Sequence, residues 1–500
     1  MPAIKLVVTS AGWQHVSQPT LVAAGLDEGV DPMRFQLFAD GVEQSLSIVG
    51  NGDAVFDSGE ALEFYGQGRD TLWTGARTYW LVVGTVTSGR RVPLSVYPAS
   101  GQPPYSFPGL ASLRRRSNYF AALKNGEASN FFGDVVGPGG VTESLTLTHL
   151  DASQPAGLQV VLQGVTAGNH QVAISVDGRP VGTCAFSGQG LQTCPFSAVS
   201  VLEGANDVLL VGQGDSPDQS LVASVEIDYP HLFVADGNAL SLTAPPATPI
   251  SIAGFSSPDV RVMDVTNPIR PIELVTSVAA AGSSYTVTVN TPGQTFWPTL
   301  YAFTRAAVLA PSSVAVSRPS RWTEPRAGEL VIISNALFMD ALAPLVAARR
   351  QQGWSVQLVD LQDVYDELGA GDKTPFAIRD FLQAIHGTWA PAPRFVLLVG
   401  DASFDPRNFL GKGDFDFAPT KLIDTQQMET ASDDWFVDWN SDAIPDLAIG
   451  RLPVRTTAEA STVVGKILGY GGAANLPRGG LFIGTGCVGN PPRLLPSPAA

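Results

Sequence analysis

The pattern of the chain changes at Leu330, and that change constrains its fold more than any other feature. Before it, short runs rich in Val, Leu, Ile, Thr and aromatics recur between Gly, Pro, Asn and Asp. Ile4–Thr9, Arg34–Phe38, Thr78–Val83, Gly157–Leu162, Gln171–Val176, Asp207–Val211 and Ser284–Val289 are examples. Such runs read as strands, and no long 3.6-residue period interrupts them. After Leu330, continuous apolar runs alternate with helical periods. Leu330–Asn335, Trp354–Asp360, Arg394–Asp401, Asp446–Arg451 and Leu481–Gly484 read as strands buried on both faces. Leu342, Leu345 and Val346 make one stripe of a helix over Phe338–Gln352, which Gly353 closes. Thr374-Pro375 is an N-cap followed by a proline at the first helical position, and Thr456 to Glu459 fits a capping box. Strands alternating with helices predict a mostly parallel sheet covered on both sides.

The expected fold class is therefore multidomain: N-terminal all-β modules of sandwich type, then an α/β domain. A length of 500 residues suits three or four domains. The divisions read from the sequence are a β module over 1–110, a β-sandwich over 117–240, a small β module over 241–306, a linker over 307–329 rich in Pro, Ser and Arg, and the α/β unit over 330–486. The stretch 487–500 carries prolines at 491, 492, 496 and 498 and reads as an aberrant or disordered tail, leaving the α/β domain incomplete at its C-terminus.

Composition excludes some functions. Asp plus Glu exceed Lys plus Arg, 46 against 30, for a net charge of −16. A chain so acidic has no general grip on nucleic acid or on an anionic membrane surface. No apolar run of about 18 residues suggests a membrane-spanning helix, and no signal peptide is visible at the N-terminus. Of the three cysteines, Cys184 and Cys194 flank a Gly-rich turn. That spacing predicts a disulfide across a hairpin, as suits an oxidising compartment.

Chemistry concentrates in one acidic loop. Between Val399 and Asp446 lie 11 Asp and Glu residues against Arg407, Lys412 and Lys421. Such repulsion needs neutralising in a compact domain. Within the loop, Asp438, Asn440, Asp442 and Asp446 alternate as oxygen donors. That pattern suits a hard cation such as Ca²⁺, or a solvated acidic loop. The histidines show no metal-like spacing, and His386 reads as a structural residue near a helix end. Cys487 has no histidine after it to form a nucleophilic pair. No complete active site can be assembled, so no catalytic or cofactor-binding residue is assigned.

Several motifs in order, from LVIIS at Leu330 through LAPLVAARRQQGWSVQLVDLQDVYDE, TPFAIRDFL, RFVLLVGDASFDPRN and ASDDWF to PDLAIGRLPVRTTAEASTVVGKILGY, resemble the first half of a gingipain-type cysteine peptidase domain. FFGDVV after YFAALKNGEASN, and GFSSPDVRVMDVTNPIRPIEL, resemble the β segments preceding that domain. The resemblance implies a caspase-like fold in two subdomains, with the catalytic histidine and cysteine in the second. Neither of those motifs occurs here, so the chain reads as a fragment without its dyad. The resemblance also implies a structural Ca²⁺ held by the side chains of Asp401, Asp442 and Asp446 and by main-chain oxygens of Trp439 and Ile444, which should therefore converge.

The function it implies is proteolysis outside the cell or at its surface, acting on proteins or peptides. The rival readings are a non-catalytic or sortase-like component of the type IX secretion system, with secretion-system partners, and an adhesin-like or carbohydrate-binding β platform.

Overall fold

The computed structural model describes residues 3–85, 89–214 and 218–471. In the first module a five-stranded antiparallel sheet faces the three-stranded sheet of Gly12–Ser17, Ala61–Gly66 and Leu46–Val49. Leu6, Leu37 and Tyr79 from one sheet and Leu62 and Phe64 from the other fill the space between them. The edge strand of the larger sheet, Ser313–Ser317, comes from the segment expected to be a linker and pairs with Ala3–Val8. The Pro- and Ser-rich surroundings hide this strand in sequence, because an edge strand needs little burial and only one neighbour.

The sandwich takes shape over Ser106–Leu232, so the first module ends earlier than residue 110. Ser106–Leu113 pairs with Ser220–Leu232 inside it. Cys184 and Cys194 are bonded, with Cα atoms 5.7 Å apart. Their strands are not a hairpin ladder, however. Arg179–Ser187 pairs with Asn169–Val176 in one sheet, and Leu191–Val199 with Ala156–Gly164 in the other. The bond therefore joins the edges of two facing sheets. The third module places Ala239–Thr243, Thr299–Thr304, Val260–Asp264 and Ile272–Leu274 against a three-stranded sheet, around Ile252, Phe255, Val262 and Val287. Trp13 and Tyr65 of the first module pack on Met263, Val265 and Phe303 of the third, which joins the two.

The α/β domain has the expected parallel sheet, in the order Val356–Asp360, Leu330–Ser334, Phe395–Val399, Ala448–Leu452. Helices Met339–Gln351 and Thr457–Gly471 cover one face with Leu342, Leu345, Val346 and Val464. Helices Leu361–Leu368 and Pro375–Thr388 cover the other with Val364, Ile378, Phe381 and Leu382. Thr374 caps its helix as the sequence indicates, accepting from the Phe376 N–H. Thr456 accepts from the Glu459 N–H, but the Glu459 carboxylate takes the Arg455 N–H, one residue before the expected partner of a capping box. The expected strand Leu481–Gly484, Cys487 and the tail 487–500 lie outside the described residues. Among the described residues no helix is long and apolar enough to cross a membrane.

Candidate functional site

In an open parallel sheet, ligands gather beyond the carboxyl ends of the strands. Here that edge is built from Asn335, Asp360, Gly400, Asp401 and the loop that follows. Gly400 has φ +132°, and a Cβ there would lie 2.8 Å from Cβ of Phe417. The backbone thus leaves the strand by a route that only glycine takes comfortably, and the loop folds back over the edge.

Arg451 holds that fold-back in place. Its guanidinium donates to both oxygens of Asp433 at 2.7 Å, to Gly400 O at 2.9 Å, to Pro419 O at 3.1 Å and to Ala418 O. The planar fork of arginine matches such a set of acceptors, as a lysine would not. Asp401 receives Nε of Arg455 at 2.6 Å. Asp405 caps the N–H groups of Phe409 and Leu410. Asp416 pairs with Lys373 at 2.8 Å and accepts from the Ser403 N–H.

The β modules close the edge from outside. Asp70 binds Arg407 at 2.7 Å and also Arg116. Arg69 pairs with Asp372, whose carboxyl burial raises above its ordinary range. Tyr119 donates to Glu429 at 2.6 Å and stacks on Phe404. Burial, and next the Glu429 carboxylate, raise the Tyr119 phenol, so it stays a donor. A cleft of about 440 Å³ remains between module and domain, lined by Lys5, Thr78, Tyr365, Lys373, Asp416 and Phe417 among others. Burial pushes the Tyr365 phenol well up, and its hydroxyl has no protein partner. Lys373, Arg451 and Arg455 thus pair with Asp416, Asp433 and Asp401, and main-chain N–H groups satisfy Asp405, whereas among the described residues no cationic side chain pairs with Asp438, Asp442 or Asp446. Those three cations come from the α/β domain itself, while the sandwich, hundreds of residues away, adds neutral donors to Glu429 and Asp424 that could not be read locally.

The expected calcium ligands do not converge. The parallel register pairs Phe395 with Ala448 and Val399 with Leu452. Asp401 therefore lies past the carboxyl end of its strand, whereas Asp446 precedes the amino end of its neighbour. About eight residues of strand, roughly 25 Å, lie between those levels. Asp442 and Ile444 stay with Asp446. Asp442 accepts from the Ile444 N–H at 2.9 Å, and Asp446 from the Trp439 N–H at 3.1 Å. His386 packs on the Trp439 ring, 4.9 Å between centroids, in the structural role its position suggested. Among the described residues no three Asp, Glu, His or Cys side chains are gathered as a metal centre.

Residues 323–482 match the model of peptidase family C25. The α/β part of this chain is thus similar to a peptidase family C25 domain. Its strands and helices alternate around a parallel sheet, as the sequence pattern after Leu330 indicated. The fold of the whole chain is similar to dimeric latent PorU from Porphyromonas gingivalis. The TM-score is 0.67 at 16% identity, over 93% of this chain and 49% of that one. The chain thus spans about half the length of that relative. A structure described as a protease aligns over 30% of this chain and 28% of its own at 18% identity, with a TM-score of 0.22. A CBM36 carbohydrate-binding module solved with calcium and xylotriose aligns over 23% of this chain and 98% of its own at 16% identity, with a TM-score of 0.19. No curated protein sequence matches the chain.

Proposed function

We propose that the protein containing these residues is a gingipain-type cysteine endopeptidase acting on proteins outside the cell or at its surface. The family C25 match over 323–482 carries this reading. In it, a thiolate attacks the peptide carbonyl, a histidine protonates the leaving amine, and water releases the acyl-enzyme. Among the described residues the two cysteines, Cys184 and Cys194, are tied in a disulfide, so none offers a free thiol. The part of the described α/β residues is to build the sheet and brace its carboxyl edge through Arg451, Arg455 and the clamped loop.

The test is hydrolysis of unfolded protein and fluorogenic peptides, with and without a thiol alkylator. The 500-residue chain should be inert. A longer product that adds a Gly-His and a downstream cysteine should cleave, and alkylation should stop it. Thiol-dependent cleavage by the 500-residue chain, lost on Cys487→Ala, would overturn the assignment of the dyad to a further segment. The rival reading is a secretion-system component, supported by the fold likeness to PorU over nearly the whole chain. A longer product that binds secreted precursor proteins but cleaves none would favour it.

For calcium, we propose a narrower site than the five-residue set: the loop 438–446 without Asp401. The support is its run of oxygen donors, Asp438, Asn440 and Asp442, with Ser441 and Ala443 at φ 59° and 65° turning the chain tightly between them. Hard oxygens in that number suit Ca²⁺. No catalytic step passes through it.

A further inference from the structure

At the seam between the sandwich and the third module lies a groove of about 520 Å³. It sits far from the sheet edge described above, and no part of the peptidase reading uses it. Its floor is the antiparallel pair in which Pro108 faces Pro230 and Leu110 faces Asp228. Pro104 and Pro155 extend the walls, so four lining residues have no N–H to offer. Tyr105 from one side and Trp297 from the other stand over it, 73% and 47% exposed. Scattered exposed apolar side chains are ordinary, but aromatic rings gathered over a concave surface mark a binding site.

The polar groups indicate what binds. Five of the nine tryptophans, Trp13, Trp80, Trp322, Trp389 and Trp439, spend their indole N–H inside the protein, whereas Trp73, Trp297, Trp354 and Trp435 do not. Among the described residues no internal acceptor takes the indole N–H of Trp297 or the hydroxyls of Tyr105 and Tyr229. Three donors therefore line one groove with only solvent to donate to. The other polar side chains there are already engaged. Gln154 donates to Ser106 and Asp151, and Ser106 donates to Asp151. Asp228, exposed at the rim, has no side-chain partner among the described residues.

We propose that this groove docks a proline-rich segment in polyproline II conformation, with an adjacent Arg or Lys reaching Asp228. A polyproline II helix makes no internal hydrogen bonds, so its carbonyls are free to accept from two tyrosines and a tryptophan. Its rings lie flat on aromatic faces, and its stiffness lowers the entropy lost on binding. The net charge of −16 favours a basic partner. A sugar fits less well. It needs several directional donors and acceptors, whereas these walls are rich in proline and their remaining amide and hydroxyl groups are tied to one another.

The test is calorimetric titration of the 500-residue chain with an acetylated oligoproline decapeptide ending in Arg, with its Arg→Ala form, and with a neutral hexasaccharide. The Arg peptide should bind saturably. Trp297→Ala and Tyr105→Ala should each weaken it about tenfold or more, as truncated aromatic anchors do, with thermal unfolding unchanged because both rings are exposed. Asp228→Asn should remove the difference between the two peptides. Absence of saturable peptide binding, binding indifferent to Trp297→Ala, or saturable binding of the hexasaccharide in place of the peptide would each overturn the proposal.

Discussion

Arg451 is the residue on which the carboxyl edge most depends. One mostly buried side chain joins Asp433 to three carbonyls drawn from two different turns. Arg451→Met should cost about 3–5 kcal/mol, because it leaves Asp433 and those carbonyls without their donor. Arg451→Lys should recover only part of this, since a point charge cannot serve a fork of acceptors. Chemical denaturation followed by tryptophan fluorescence would measure both, and equal stability of the lysine variant would refute the bidentate argument. The disulfide acts at the same scale. It closes a loop of sequence separation 10, so Cys184→Ser with Cys194→Ser should lower sandwich stability by about 2–3 kcal/mol.

At the scale of elements, the loop after Phe395–Val399 separates two clusters that sequence alone merged. Asp401 answers to Arg455, and Asp442 to its own loop. Chelation should therefore lower the melting temperature of the chain and of Asp401→Ala by the same amount, because a ligand bound only by the folded state stabilises it. Asp442→Ala should lose the response. An Asp401→Ala variant blind to chelator would restore the five-residue set. The regular elements were legible because each carries its own period and cap, as in Thr374-Pro375 and Leu342 to Val346. What depends on distant partners was not. Ser313–Ser317 declares itself only beside Ala3–Val8. The spacing of Cys184 and Cys194 showed that they meet, but not that each belongs to a different sheet. The hydrogen bonds that Glu429 receives from Tyr119 and Asn130 were hidden because the sandwich lies far from the loop in sequence.

Across the whole molecule, the β modules brace the α/β domain on several sides. Lys5 pairs with Asp366, Trp80 donates to Ala370 O, and Asp70 sits between Arg116 and Arg407. The Asp70 carboxyl is held down to about 2, first by its hydrogen bond from Arg116 and then by Arg407. Its folded value lies below the ordinary one near 4. Its contribution is therefore complete above about pH 4 and is lost as the pH falls toward 2. Asp70→Asn should flatten that part of the acid-unfolding curve and leave the region above pH 5 parallel to wild type. An unchanged acid limb would mean that the Asp70 cluster contributes nothing measurable to holding module and domain together.

The pairing of Ala3–Val8 with Ser313–Ser317 also sets an order of assembly. During synthesis, Ala3–Val8 leaves the ribosome with one edge unpaired, and it stays so until about 300 further residues have followed. Pairing at so long a range is slow to form, and an unpaired edge is where a nascent chain sticks to its neighbours. A sandwich and a third module can complete themselves in that interval, but the first sheet cannot. The seal on the first sheet is thus made by residues translated just before the peptidase-like domain begins.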